Sequence, residues 1–249
     1  GIRHECLGEA LFVAAAVQGE GVFKKGDRGT KWAEYFEGEP GWVSDFASEW
    51  LAMESARRAN FNPGDCDGLG VLARGARETM KTYEQLLRGM EKRGGRIKEP
   101  DFRQRGEDCA KAMLIAFGDR LAVRRDQGSA VCHVVGGRRG KMNSKSAVRK
   151  SPLFLTTEII EVEGRERTVN LSRCVAIDEA WLPEREVCET GGVIFDEVAR
   201  RVVSVKQRTF RGLVLEEKRG GEVDPDLAGS LLAERVIAGE LSLKKWDAS

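Results

Sequence analysis

The stretch VVGGRRGKMNSKS, residues 134–146, contains the residue types of a phosphate-binding loop: glycines, Gly140 followed by Lys141, and hydroxyl side chains. A nucleotide-binding P-loop needs the pattern G-x-x-x-x-G-K-[ST] between a strand and a helix, so that backbone N–H groups surround the phosphates. Here Val135 stands in place of the first glycine, and Met142, which cannot bind magnesium, follows the lysine. No apolar helical run follows. The pattern therefore argues strongly against an ATP site and favours a solvated basic turn between two strands.

The same stretch lies in the most basic part of the chain. Between positions 120 and 150 there are nine Lys or Arg residues and one acid, Asp126, a charge of +8 in a chain whose net charge is +1. A run of charge is often only a solvated face, but a local excess of this size is typical of an anion-binding surface. The candidate nucleic-acid-binding residues are Arg120, Arg124 and Arg125 on an expected strand, Arg138, Arg139 and Lys141 in the turn, and Lys145, Arg149 and Lys150 as flexible helpers.

The first half of the chain has the periodicity of helices. We predict helices over 5–18, from the cap Ser44-Asp45 to about Asn60, from Asp65 to about Met90, and from about Asp101 to Phe117. Their apolar residues recur every three or four positions, as on a buried helix face. The pattern predicts an α-helical bundle over 1–117.

The second half changes to short β-rich runs separated by glycine, serine and charge. Four or five strands within about 65 residues suit a small Greek-key barrel of the OB-fold type, predicted here over 118–186. A short helix is expected near Asp178 to Arg185. The remainder, 187–249, predicts two or three more strands and a helix that begins at the cap Asp224-Pro225. The expected fold class is α+β.

Composition excludes several classes of protein. No apolar run is long enough to cross a membrane and no signal-peptide pattern is present, so we expect a cytoplasmic protein. The six cysteines form no C-x-x-C pair and the chain has two histidines, which predicts free thiols and no metal site. The chain begins with Gly, and we expect it to be a piece of a longer protein.

Two stretches resemble the C-terminal region of DEAH/DExH-box ATP-dependent RNA helicases. SDFASEWLAMESARRANFNPGDCDGLGVLARGARETMKTYEQLL is similar to their helicase-associated helical domain, with Arg74 at the family's arginine and Gln85-Leu86 at its Gln-Leu. Gly75-Ala76 and Tyr83 depart from the usual residues. LFLTTEIIEVEGRERTVNLSRCVAIDEAWLPE looks like the last strands of the family's OB-fold. The bacterial HrpB-like branch is more similar still, from AFGDRLAVRRDQGSAVCHVVGGRRGKM to VARRVVSVKQRTFRGLVLEEK and the closing Trp246.

The resemblance implies a non-catalytic fragment that grips single-stranded RNA, or DNA, beside RecA-like domains of the same parent chain. Arg74 would face the RNA channel or pair with an acid in the bundle. The chain has no Walker A motif and no Asp-Glu-x-His, so we expect no ATPase activity and no cofactor here, with ATP and magnesium bound elsewhere in the parent enzyme. The alternative is a scaffold that docks a protein activator. The aromatics Trp32, Trp42, Trp50, Phe154 and Trp181 could stack on bases, but core packing is favoured for most of them.

Overall fold

A computed structural model describes residues 5–24, 32, 43–94, 97–124, 126, 129–162 and 168–241. The chain forms two compact units, Gly1–Leu182 and Pro183–Ser249. The predicted α+β class is confirmed: helices come first, followed by a closed five-stranded barrel, a three-stranded sheet and a last helix. The predicted division into three domains, 1–117, 118–186 and 187–249, stays a prediction.

Among the described residues, the first unit contains the α-helices α1 (Leu7–Gln18), α2 (Asp45–Arg58), α3 (Pro63–Gly68), α4 (Ala73–Glu91) and α5 (Phe102–Phe117). Side-chain oxygens cap three of them, because Ser44, Asn62 and Asp101 accept hydrogen bonds from otherwise unpaired N–H groups of the first turns of α2, α3 and α5.

The core of the helical part is a cluster of aromatic rings. Phe12 of α1 packs edge-on against Trp50 of α2, Tyr83 of α4 and Phe102 of α5, with ring centroids 5.1, 6.4 and 6.0 Å away. Edge-to-face pairs at such separations stabilise beyond the area they bury. The helices α1, α2, α4 and α5 therefore share one core, as the periodicity predicted.

One predicted helix is divided in the structure. The sequence predicted a continuous helix from Asp65 to Met90, but α3 ends at Gly68 and α4 begins at Ala73. Gly70 adopts a φ of 70°, which no α-helix contains. The prediction was wrong here because Leu69 and Leu72 continue the apolar period through the turn.

The barrel is made of β1 (Leu121–Val123), β2 (Val131–Val134), β3 (Arg138–Met142), β4 (Leu153–Val162) and β5 (Thr168–Ala176). Its order is β1-β2-β3-β5-β4, and β1 closes it by pairing with β4. The β3–β5 pair is parallel, and the other pairs are antiparallel. Its interior contains Ala122, Cys132, Val134, Met142, Val148, Phe154, Leu171, Cys174 and Ala176.

The second unit is a three-stranded antiparallel meander, β6 (Val187–Asp196), β7 (Arg201–Phe210) and β8 (Leu213–Arg219), followed by α6 (Pro225–Ile237). Asp224 caps α6 as predicted, since its Oδ1 accepts from the N–H groups of Asp226 and Leu227. The short helix expected near Asp178 to Arg185 is instead two 3₁₀ turns, Glu179–Trp181 and Glu184–Glu186. Trp246 lies outside the described residues.

Candidate nucleic-acid interface

Strand β3 contains the basic residues that were expected in a turn. The turn that precedes it is formed by Gly136 and Gly137, whose φ angles are 83° and 78°. Arg138, Arg139 and Lys141 follow in the strand, paired with β2. Their expected position was wrong because the glycine pair completes the reversal before the first arginine. The consequence is that their directions are fixed by the pleat.

Gly140 is required by packing inside the barrel. A Cβ atom at this position would lie 2.8 Å from Cγ of Leu171, a core residue of β5. The strand that follows the glycines is also incompatible with a P-loop, which leads into a helix. The glycine that suggested a phosphate loop in the sequence therefore lets β3 approach β5 closely.

The pleat of β3 places Arg139 and Lys141 on the side opposite the core, whereas Arg138 has the parity of Gly140 and Met142 and is exposed at the start of the strand. Gly140 and Met142 are buried, whereas Arg138, Arg139 and Lys141 are exposed. Arg139 lies opposite His133 of β2, and Lys141 lies between β2 and β5. Within the described part of the chain, none of the three cationic side chains has a hydrogen-bond or ion-pair partner. We call Arg138, Arg139 and Lys141 the β3 cation row.

Two other predicted cations are engaged within the protein. Arg120 donates from Nη1 to the carbonyl of Thr157 at 2.6 Å, and its guanidinium lies 5.9 Å from the ring centroid of Phe117. Arg124 donates from Nη1 to the carbonyl of Arg149 and from Nη2 to Sδ of Met142 at 2.8 Å. These Nη groups therefore bind acceptors of the protein itself, whereas the buried Nε of Arg124 has no hydrogen-bond partner among the described residues.

The remaining candidates are dispersed. Lys145 is half-buried beside a cleft, and the exposed Arg149 donates from Nε to the carbonyl of Ser146 at 3.1 Å. Lys150 is exposed, while Arg125 lies outside the described residues. Arg74 pairs with Glu78 one turn along the exposed face of α4, with 2.9 Å between Nε and Oε1. Of the two alternatives for Arg74, the structure therefore gives an acid partner, on the surface of the helix rather than inside the bundle.

A carboxylate that the sequence suggested as a helix cap instead joins α2 to the barrel. Ser44 caps α2, while Asp45 accepts hydrogen bonds from the Ser146 hydroxyl at 3.0 Å and from the N–H groups of Ala147 and Cys174 at 2.8 and 2.7 Å. Burial raises the pKa of Asp45 above its usual value, and these hydrogen bonds oppose that shift. An acid after a serine cap is common, so the local sequence contains no signal of this role.

A buried ion pair lies one helical turn further along α2. Glu49 and Arg173 of β5 are joined by 3.0 Å between Oε1 and Nε, with both side chains at most 10% exposed. Burial raises the pKa of Glu49, and the charge of Arg173 opposes the shift. Arg173 adopts a φ of 51°, which interrupts the regular alternation of β5. The sequence analysis missed this pair, because 124 residues separate the partners.

The aromatic residues considered for base stacking are mostly engaged in packing. Trp50 and Phe154 are buried, and the indole N–H of Trp32 donates to the carbonyl of Leu69 at 3.2 Å. Trp181 is half-buried, with the Lys111 ammonium 5.1 Å from its ring centroid. Trp42 lies outside the described residues. Any binding by the described face of β3 would thus rest on charge rather than on these rings.

The described residues contain no group of three or more His, Cys, Asp or Glu side chains placed to hold a metal ion. None of their helices combines the length and apolar character that crossing a membrane requires.

Comparison with solved structures identifies similar chains in two structures from E. coli. A structure of the DExH-box NTPase HrpB aligns with a TM-score of 0.45 at 15% identity, over 93% of this chain and 25% of that chain. A structure of the DEAH/RHA helicase HrpB aligns with a TM-score of 0.38 at 19% identity, over 60% of this chain and 18% of that chain. The chain thus spans at most a quarter of the length of these proteins. No family profile and no curated protein matches it.

Proposed function

We propose that this chain is the non-catalytic C-terminal portion of an ATP-dependent RNA helicase of the DEAH/DExH class, and that it grips single-stranded RNA beside RecA-like domains of the parent chain. The proposal treats the closed barrel as an OB-fold. The observation that carries it is the β3 cation row: three exposed cations on one barrel strand, without partners among the described residues. The ordered motifs of the sequence support the same assignment.

The geometry of the row suits a phosphate backbone rather than a base sequence. Arg139 and Lys141 are two residues apart on one face of a strand, a spacing of about 6.6 Å. Consecutive phosphates of an extended single strand lie about that far apart, and cations in such a row bind them without reading bases. The flanking Arg149 and Lys150 add charge near the end of the same basic segment.

Direct binding to a labelled single-stranded RNA tests the proposal. The triple variant Arg138→Glu, Arg139→Glu, Lys141→Glu changes only exposed side chains, so each change alters stability by about 0.5 kcal/mol or less. A matched control is Lys81→Glu, Lys92→Glu, Arg93→Glu, which makes the same charge change on the exposed face and end of α4. Fluorescence anisotropy at low salt should show binding by the wild type and the control, and loss of binding by the β3 variant.

Equal binding by the β3 variant and the wild type would refute the assignment of the row. Circular dichroism and thermal unfolding of both variants establish that any loss reflects binding and not folding. Repeating the titration with DNA of the same sequence determines whether the proposed substrate extends to DNA. No hydrolysis of ATP is expected from this chain alone.

A second candidate function, docking of a protein activator, rests on α6. This helix has no buried residue, and Leu227, Leu232 and Ile237 are 50%, 37% and 87% exposed. They lie five residues apart and so do not share one helix face, but each adds exposed apolar surface that a partner protein would cover. Absence of RNA binding by the wild type at low salt would favour this function over the first.

A further inference from the structure

The two strands beside β3 present different side chains to the β3 cation row. On the β2 side, Val131 pairs with Lys141 and His133 pairs with Arg139. On the β5 side, Asn170 pairs with Lys141 in the parallel register. Residues that lie opposite each other on neighbouring strands project from the same face of the sheet. Lys141 therefore lies between an apolar side chain and an amide.

The side chain of Asn170 points away from the barrel interior. The next residue, Leu171, pairs with Met142, and both are core residues. Because side chains alternate along a strand, Asn170 faces outwards together with Lys141. Its amide makes no hydrogen bond within the described part of the chain, and neither amide atom belongs to the buried polar atoms that lack partners there. The amide is therefore accessible from outside the barrel.

An amide directly beside a phosphate-binding cation is placed to contact the sugar of the same nucleotide. In RNA, the 2′-hydroxyl is attached to the ribose carbon next to the one whose oxygen carries the following phosphate. A group that binds this hydroxyl must therefore lie close to the group that binds the phosphate. Asn170 and Lys141 meet this condition, because they are paired on adjacent strands, which lie about 4.8 Å apart.

The amide also matches the 2′-hydroxyl in its hydrogen-bonding groups. The hydroxyl both donates and accepts, and it is the group by which a protein distinguishes RNA from DNA. An asparagine side chain offers NH₂ donors and a carbonyl acceptor, whereas Arg139 and Lys141 only donate. On the β2 side, Val131 has no hydrogen-bonding group, and His133 already has an interaction within the chain. Among the described side chains paired with the row, Asn170 is therefore the one suited to the sugar.

We propose that Asn170 binds the 2′-hydroxyl of the nucleotide whose phosphate contacts Lys141, and that it makes the chain prefer RNA to DNA. The inference rests on the function proposed for the β3 cation row, to which it adds a specificity-determining residue. Asn170 is uncharged and lies outside the basic segment 120–150. The charge pattern of the sequence therefore contains no signal of this role.

The ratio of the affinities for labelled oligouridylate and for its 2′-deoxy analogue of equal length tests the role, because the two strands differ only in the 2′-hydroxyl. In fluorescence anisotropy, the full wild-type chain should bind the ribose strand about three- to tenfold more tightly, the contribution of one neutral hydrogen bond. Asn170→Ala should abolish the difference by weakening only the binding of the ribose strand. Gln104→Ala, which removes an exposed amide of α5, should keep the wild-type ratio.

The same ratio separates this inference from the proposed function. Absence of RNA binding by the wild type would refute the function of the β3 cation row and this inference with it. Equal affinity of the wild type for both strands would overturn the inference alone, and so would an equal loss for both strands in Asn170→Ala. Asn170→Val repeats the test with a residue that favours strands, and thermal unfolding checks the fold of both variants. A wild-type ratio in both would also overturn the inference.

Discussion

Replacing Asp45 by alanine removes one carboxylate that accepts hydrogen bonds from three groups of the barrel. Two of these donors are backbone N–H groups, on Ala147 and Cys174, and the third is the Ser146 hydroxyl. The hydroxyl can rotate towards another acceptor, but the two N–H groups are fixed by the backbone. Asp45→Ala therefore leaves two donors without an acceptor at the contact between α2 and the barrel.

The expected loss follows from these two donors. Each unsatisfied buried donor costs about 1–3 kcal/mol. Because Asp45 is only partly buried, water reaches part of the space and the lower half of the range applies, about 2–4 kcal/mol in total. For a unit of this size, each kcal/mol lowers Tm by about 2–4 °C. We therefore expect a decrease in Tm on the order of 10 °C.

Urea and thermal unfolding, followed by tryptophan fluorescence, to which the buried Trp50 contributes, measure the effect. Asp65→Ala is the matched control, since Asp65 also lies in the first turn of a helix but is exposed. It should change Tm by less than about 2 °C. Asp45→Asn should recover only part of the loss, because the NH₂ of its amide group would face backbone N–H donors and cannot accept hydrogen bonds from them. A decrease below about 2 °C for Asp45→Ala would refute the role assigned to this carboxylate.

Three further predictions concern other sites. Gly140→Ala forces a Cβ atom against Leu171 and should lower the free energy of unfolding, measured in urea, by about 1–3 kcal/mol. Gly192→Ala has open space around it and should leave the free energy of unfolding unchanged. Equal effects of the two changes would contradict the packing role of Gly140. Five cysteines are buried and Cys188 is exposed, so one thiol of the native protein should react rapidly with DTNB, and fast reaction of several would be inconsistent with the fold. The pKa of Glu49 is raised, which means that the folded state binds its proton more tightly than the unfolded state does. As the pH falls from 7 to 5, the wild type should therefore gain stability relative to Glu49→Gln. The same difference in unfolding free energy between the two proteins at both pH values, measured in urea, would exclude this.

The sequence predicted most of the elements because their signals are local. Ser44, Asp101 and Asp224 cap helices, as their residue types predict. The change from helical periodicity to short β-rich runs predicted the α+β class. The failures are also local in origin. The apolar period at Leu69 and Leu72 continues through a turn, and the glycine pair before Arg138 ends the other turn before the first of the charges that were expected in it.

The interior polar contacts could not be predicted in the same way. Asp45 and Glu49 are ordinary helix residues by sequence, and their partners on β5 are fixed only when α2 packs on the barrel. The number of charges in a segment also does not show which way each side chain points. Arg120 and Arg124 belong to the same basic segment as Arg139, yet their guanidinium groups bind carbonyls of the protein.

The salt dependence of RNA binding tests the central claim most directly. Each phosphate neutralised on a single strand contributes about −0.7 to the slope of log K against log salt. Replacing Arg138, Arg139 and Lys141 by alanine should therefore make the slope shallower by about 2, while Lys81, Lys92 and Arg93 replaced by alanine leave it unchanged. Identical slopes for the wild type and this triple alanine variant would contradict the claim that strand β3 holds the RNA backbone.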